Sequence, residues 1–232
     1  MILVTILQLT KSERLCYYTS MAVMNEQFYM RDTLTVAQDL LGKYFVRNCE
    51  GGPIVCKITE TEAYIGSIDR ACHAFGGKNT PRTAPLFLPA GHAYIYLIYG
   101  MYHCFNFVTE PEGEPAAVLL RGLSSCHGTD LMSRNRFGKG ACDMTNSQRK
   151  NFLNGPGKVC KALDLTRTHN GASCVSESDA FYVCDSLADL GLPAEAAVNF
   201  TVHSGPRIGI DYAGADALLP WRFWIESVHI YD

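Results

Sequence analysis

None of the ten cysteines in this chain stands in a Cys-x-x-Cys pair, and none has a histidine at zinc-ligand spacing. Scattered singly from Cys16 to Cys184, they read as free thiols in a reducing compartment rather than as a metal site or a disulfide framework. No apolar window reaches the length of a transmembrane helix, so no membrane association is expected. The apolar opening MILVTILQL has neither a basic flank before it nor a small-residue cleavage site after it, so the protein is not expected to be secreted. A surplus of positive charge is also missing. With 20 Lys and Arg against 23 Asp and Glu, a net charge of -3 and a pI near 6.2, the average composition does not advertise a polyanion partner. No internal repeat and no low-complexity block is present, and no strand-helix-strand unit recurs as a doubly wound sheet would require. The segment GPGKVC lacks the Walker spacing, which excludes a P-loop, although backbone amides at a helix start could hold a phosphate there.

What is present fits one large domain: 232 residues, 47% of them hydrophobic, enough to bury a real core. The charge is segregated. Between Leu131 and Lys161 seven basic residues (Arg134, Arg136, Lys139, Arg149, Lys150, Lys158 and Lys161) face one acid, Asp143, whereas from Ala162 onward three basic residues face ten acids. The basic third is either a phosphate-facing surface or a solvated loop.

Residues 1–30 show no clear periodicity and read as a loosely attached extension, with the domain proper over 31–232. Thr35-x-x-Gln38 suits a capping box before the helix VAQDLL, and Gly42 suits its stop. Strands are predicted over KYFVRN and IVCKITETEAY, followed by a Gly- and Pro-rich loop, GGKNTPRTAPLFLPAGHA. AYIYLIYGMYHCFNFVTE then predicts a β-hairpin on a type II′ turn at Gly100 and Met101, with Tyr99 and Tyr102 at its tip. AAVLLRGL is a further strand. In NGPGKVCKALDL, Asn154 is placed to cap a helix whose first turn holds Pro156. The tail alternates strand-like runs (AFYVCD, RIGI, WRFWIE) with turns. The expected class is α+β: one domain built on a mainly antiparallel, curved sheet flanked by helices, with a protruding hairpin.

The stretch ETEAYIGSIDRACH carries the first chemical signal. If Ile54, Cys56 and Ile58 face the core, strict alternation puts Glu60, Glu62 and Tyr64 on the same face. An acid there must be paired, protonated or held for a reaction; otherwise the strand ends near Thr59 and both acids turn to water. In the first case Glu62, close to Tyr64 and His73, is a general-base candidate whose pKa a dry site would raise. The second signal is four tyrosines within nine residues, Tyr94, Tyr96, Tyr99 and Tyr102. Any one of them suits core packing, but aromatics at a hairpin tip suit base stacking beside a basic surface. Arg121, at the end of an apolar strand, needs an acidic or phosphate partner. Cys72 beside His73 does not make a nucleophile pair, because neighbours in an extended segment point opposite ways.

ETEAY, HAFGGKNTPR, YIYLIYGMYHCFN, AAVLLRGL and NGPGKVCKAL, in this order, closely resemble the alkyladenine (3-methyladenine) DNA glycosylase family, from about Leu34 to the closing WRFWI. The resemblance implies a monofunctional base-excision repair enzyme that flips an alkylated or deaminated purine from duplex DNA and hydrolyses its N-glycosidic bond. It implies Glu62 as the base activating water and Arg121 as its companion. Tyr64, His73, Tyr96 and Asn106 become the base pocket, with Asn106 crowding the 2-amino group of guanine. Tyr99 becomes the side chain entering the minor groove, and Met101, Arg134 and Lys158 further DNA contacts. No metal or organic cofactor is called for, a monomer acting on damaged duplex DNA is expected, and the compartment is the nucleus in a eukaryote or the cytoplasm in a bacterium. A damaged-DNA-binding protein without catalysis and a hydrolase of free purine nucleosides are the competing readings. Three features depart from the family pattern. Leu86-Phe87-Leu88 stands where Met-Phe-Gly is frequent; a strict two-residue turn would pair Tyr96 with Phe105 and send Asn106 to the opposite face; and the acidic tail implies a modest salt dependence.

Overall fold

The computed structural model describes residues 23–193 and 200–227. Eight strands form one sheet in which every pair is antiparallel: β1 (Tyr44–Arg47), β2 (Ile54–Tyr64), β3 (Ala93–Ile98), β4 (Tyr102–Thr109), β5 (Ala116–His127), β6 (Phe181–Cys184), β7 (Phe200–Gly205) and β8 (Arg222–Ser227). The order runs β3-β4-β5-β2-β1-β6, with β8 on β2 and β7 on β8. The α+β class and the antiparallel sheet read from the sequence are those of the structure. Among the described residues five α-helices accompany the sheet: α1 (Glu26–Tyr29), α2 (Thr33–Asp39), α3 (Thr129–Phe137), α4 (Asn146–Lys150) and α5 (Pro156–Ala162).

The main core lies on one face of the sheet. Phe45, Ile58, Ile95, Phe105, Phe107, Leu120 and Phe181 pack there against Val36, Ala37 and Leu40 of α2, Met132 of α3 and Val159 of α5. The extension expected over residues 1–30 falls largely outside the described residues. Its last part is packed: Val23 bridges to Cys184, and the fully buried Tyr29 stacks on Phe107 with ring centroids 5.4 Å apart.

Local signals at both helix starts resolve differently from expectation. The cap of α2 is Asp32, whose carboxylate accepts from the Thr35 N–H and hydroxyl at 2.8 Å, so the helix begins before the Thr35 box. The α5 cap position is Gly155, and Asn154 instead accepts from Lys158 Nζ at 2.8 Å. RIGI does not form a strand: Arg207–Ile210 is irregular, with Gly209 at φ 77°, outside the extended region of a regular strand.

Two irregularities place the site. In β2 and β5 the pairing runs Ile58 to Leu123, Glu60 to Gly122 and Thr61 to Leu120, so Thr59 and Arg121 each bulge from the ladder. The bulge inverts the alternation. Ile54, Cys56 and Ile58 face the main core, but so do Ala63 and Thr61, whose hydroxyl donates to the Ala37 carbonyl. Glu60, Glu62 and Tyr64 therefore face the opposite side. The same-face expectation fails, and it explains how the strand carries acids without aiming them at its apolar core. Gly122, across from Glu60, is required: a Cβ there would lie 2.9 Å from Glu60 Cβ.

The hairpin turns one residue earlier than expected. Tyr99 (φ 53°) and Gly100 (φ 68°) are its central residues, both in the left-handed region, and Met101 N–H donates to the Ile98 carbonyl. Two positive φ angles belong to a I′-like turn, not to II′. Ile98 pairs with Tyr102, Tyr96 with Cys104 and Tyr94 with Asn106. The shift brings Asn106 onto the face of Tyr94 and Tyr96, where a strict two-residue turn at Gly100 and Met101 would have excluded it.

Candidate active site

On the sheet face away from the main core lies a cavity of about 410 Å³, lined among others by Glu62, Tyr64, His73, Tyr96, Asn106 and Arg121. Period-two alternation supplies this lining: Glu62 and Tyr64 from β2, Tyr94 and Tyr96 from β3, Cys104 and Asn106 from β4, Ala117, Leu119 and Arg121 from β5. His73 comes from the turn-rich connection after β2. Its ring stands 4.5 Å from Tyr96 at 79°, and Tyr94 lies 5.3 Å from Tyr96 at 33°, so three rings wall one side. Leu86, from the segment that departs from the family pattern, is buried and also lines the cavity.

Glu62 lies in its wall. Its side chain has no solvent exposure; Oε1 accepts the Ile208 N–H at 2.9 Å, Oε2 accepts the Tyr64 hydroxyl at 2.9 Å, and Arg121 Nε lies 3.5 Å from Oε1. Burial raises the Glu62 pKa, opposed by Arg121, the Ile208 amide and the Tyr64 hydroxyl, with Glu60 adding to the rise. Arg121 donates from Nε to Glu60 at 2.9 Å, and Glu60 in turn accepts from Arg222 Nη1 at 3.0 Å. The result is a chain of alternating charge, Glu62, Arg121, Glu60, Arg222, carried by three neighbouring strands. Arg121 thus has the acidic partner its position demanded, and the strand bulge aims it into the cavity.

His73 Nδ1 lies 2.8 Å from the Tyr94 hydroxyl and Nε2 lies 3.4 Å from Arg82 Nη2. An arginine only donates, which assigns Nε2 as acceptor and Nδ1 as the N–H. Burial, aided by Arg82, lowers the His73 pKa to about 4. The unfolded chain therefore binds a proton between pH 6.5 and about 4 that the folded chain does not. The His73 contribution to stability is full above that window and is lost as pH falls through it. In ¹³C-histidine NMR one imidazole should remain neutral until about pH 4; titration of His73 near 6.5 would contradict this environment. Cys72, whose thiol is directed to the Pro115 carbonyl and pushed up to about 11 by burial, has no thiolate character.

The remaining sequence candidates separate. Tyr99, 81% exposed at the hairpin tip, borders both this cavity and a second one of about 460 Å³ that Lys158 lines together with Arg136, Lys161 and Tyr102. Met101, 68% exposed, lies over a third hollow beside Lys161. Arg134 lines none of these and donates to Asp130 at 2.8 Å, one turn away on α3. The sequence reading does not single out the Ile208 amide, Arg222 or Arg82 as site groups, and it gives Glu60 no role beyond that of an acid beside Glu62. A backbone N–H carries no residue-type signal, whereas the Glu-Thr-Glu alternation did mark Glu60.

Comparison with known proteins places the chain in a family. The family model for methylpurine-DNA glycosylase matches residues 27–229. A protein of Methanocella arvoryzae is 46% identical over 207 residues, 89% of this chain and 94% of its own length. One from Clostridium perfringens strain 13 is 43% identical over 204 residues, 88% of this chain and 96% of its own. One from Clostridioides difficile is 41% identical over 204 residues, 88% of this chain and all of its own. Each carries the provisional name 3-methyladenine DNA glycosylase. At this identity, over nearly the whole length of each relative, the chain belongs to the methylpurine-DNA glycosylase family.

Proposed function

We propose that this protein extrudes an alkylated or deaminated purine from duplex DNA into the aromatic cavity and hydrolyses its N-glycosidic bond with water activated by Glu62, without a lyase step. The observation that carries the proposal is the buried carboxylate lining a slot walled by His73, Tyr94 and Tyr96. Water adds its oxygen to the sugar C1′ and yields a proton to Glu62, while the C1′–N electron pair leaves with the base. An alkylated purine departs neutral because it enters as a cation; a neutral lesion needs a proton as it leaves. In the free protein the Tyr64 hydroxyl holds Glu62 Oε2. An ionised carboxylate oxygen has a second lone pair, so Oε2 can accept from a water while Tyr64 still holds it.

Arg121 fixes the carboxylate and the water site, Tyr64, His73 and Tyr96 hold the base, and Asn106 crowds a 2-amino group. The Asn106 amide is itself pinned by donating from Nδ2 to the Tyr94 carbonyl at 2.9 Å. Tyr99 fills the space that the extruded base leaves, while Met101, Lys158 and Arg134 contact the duplex. Holding a tyrosine at φ 53° costs about 1–2 kcal/mol, which points to a position selected for what its side chain does outside the fold. Tyr99→Ala should lower excision from duplex DNA by about 5- to 150-fold, the worth of one base-stacking aromatic. The check is single-turnover excision from duplex and from a free nucleoside in parallel. A hydrolase of free nucleosides would be indifferent to Tyr99, so a silent Tyr99→Ala on duplex would favour that reading.

A further inference from the structure

Arg82 stands at the mouth of the base cavity and has no role in the reading above. It is exposed, and it borders the same cavity as Glu62 and Tyr96. Its Nη2 lies 3.4 Å from His73 Nε2, and its guanidinium sits 5.7 Å from the centre of the Tyr96 ring. Among the described residues no carboxylate is within ion-pair distance of it, unlike Arg121, Arg207 and Arg222, which all have one. The charge of Arg82 is therefore directed at the slot rather than neutralised beside it.

We propose that Arg82 is a specificity-determining residue that biases the site toward neutral purine lesions with an acceptor edge and against purines made cationic by ring alkylation. Two physical effects act in the same direction. A guanidinium only donates, so it can serve the oxygen or the N7 lone pair of a neutral oxopurine. Alkylation at N7 removes that lone pair and adds a positive charge, which meets the fixed charge of Arg82. The Tyr96 face that would otherwise attract a cationic base is also partly engaged by the guanidinium already lying over the ring. The bias rests on the proposed glycosylase reading. Its size is modest because Arg82 is exposed: a unit charge at roughly 6 Å, in a dielectric between half that of water and that of water, changes a rate ratio by about three- to tenfold.

The test is single-turnover excision by the wild-type protein, Arg82→Gln and Arg82→Lys from two duplexes, one with a single 7-methylguanine and one with a single hypoxanthine. The expected result is that Arg82→Gln raises the 7-methylguanine to hypoxanthine rate ratio about three- to tenfold, while Arg82→Lys stays nearer the wild-type ratio. A ratio unchanged or lowered in Arg82→Gln overturns the proposal while leaving the glycosylase reading intact. So does an equal fall in both rates, which would make Arg82 a phosphate contact or a structural residue; a thermal melt of each variant separates those two. A wild-type protein that releases neither base removes the glycosylase reading and the bias together.

Discussion

Glu62→Gln is expected to lower base excision by about 10²- to 10⁴-fold, the usual worth of a positioned general base, while lesion-duplex affinity stays within about threefold. Glutamine keeps the shape of the side chain. It can accept the Ile208 N–H at Oε1 as the carboxylate does, and its amide can face the Tyr64 oxygen where Oε2 now accepts. Arg121 keeps its 2.9 Å bond to Glu60, so no cation is left without a partner. What is lost is basicity. The fold itself should not suffer, because burial penalises the ionised form of Glu62 and raises its pKa. Above the raised value the folded protein carries that penalty in full, and it is relieved as pH falls toward 4.5. The same shift sets the acid limb of the wild-type rate profile above the range of an ordinary glutamate, because the base works only when ionised. Retained excision by Glu62→Gln would end the assignment. Lost excision together with lost binding would point to a lesion-binding role for the carboxylate instead.

Asp69→Asn should cost about 3–5 kcal/mol of stability, the penalty for stranding one member of a buried ion pair. For a chain of this size that lowers Tm by roughly 6–20 °C. Asp69 and Arg207 have no side-chain exposure, and their bidentate contact runs at 2.5 and 2.9 Å. Asp69 also accepts the backbone N–H groups of Ile65 and Ala71, at 3.1 and 2.9 Å. Arg207 donates to the Ala63 carbonyl and lies between the rings of Tyr64 and Trp221, 4.8 and 4.9 Å from their centres. This pair anchors the segment whose next residue, Ile208, supplies the amide to Glu62, so stability and site geometry are linked here. The double variant Asp69→Asn/Arg207→Met, which removes the stranded cation, should recover part of the loss in a thermal melt. A single Asp69→Asn as stable as the wild type would show that the pair carries no such strain when broken.

Much of the fold was legible because period-two alternation is strong in these strands. β2 runs over Ile54–Tyr64, as IVCKITETEAY predicts, and the hairpin of β3 and β4 lies where the two aromatic runs flank Gly100. The turn was misread by one residue because the structure puts Tyr99, a poor left-handed residue, where glycine preference would put Gly100 alone. The bulge at Thr59 and Arg121 has no local signature; it follows from how β2 and β5 meet, yet it decides which face carries the acids. The charge chain from Glu62 to Arg222 likewise depends on β8 lying beside β2, a pairing between residues far apart in the chain. Arg207, which pairs with Asp69, and the Ile208 amide sit where RIGI suggested a strand, and only the folded chain shows that this segment reaches Glu62. The cavity-lining residues Tyr64, His73, Tyr96 and Asn106 were legible because their types and order resembled a known motif set, and the hairpin register puts Asn106 on the face of Tyr96.

The central claim is that a Glu62-activated water releases a damaged purine held in the tyrosine-walled cavity. Its most direct measurement is single-turnover incubation of the protein with a duplex carrying one 3-methyladenine or one hypoxanthine, followed by alkali. The account predicts strand scission at the lesion alone, dependent on alkali, and absent with Glu62→Gln; an intact strand with the wild-type protein, or scission that persists in the variant, would contradict it.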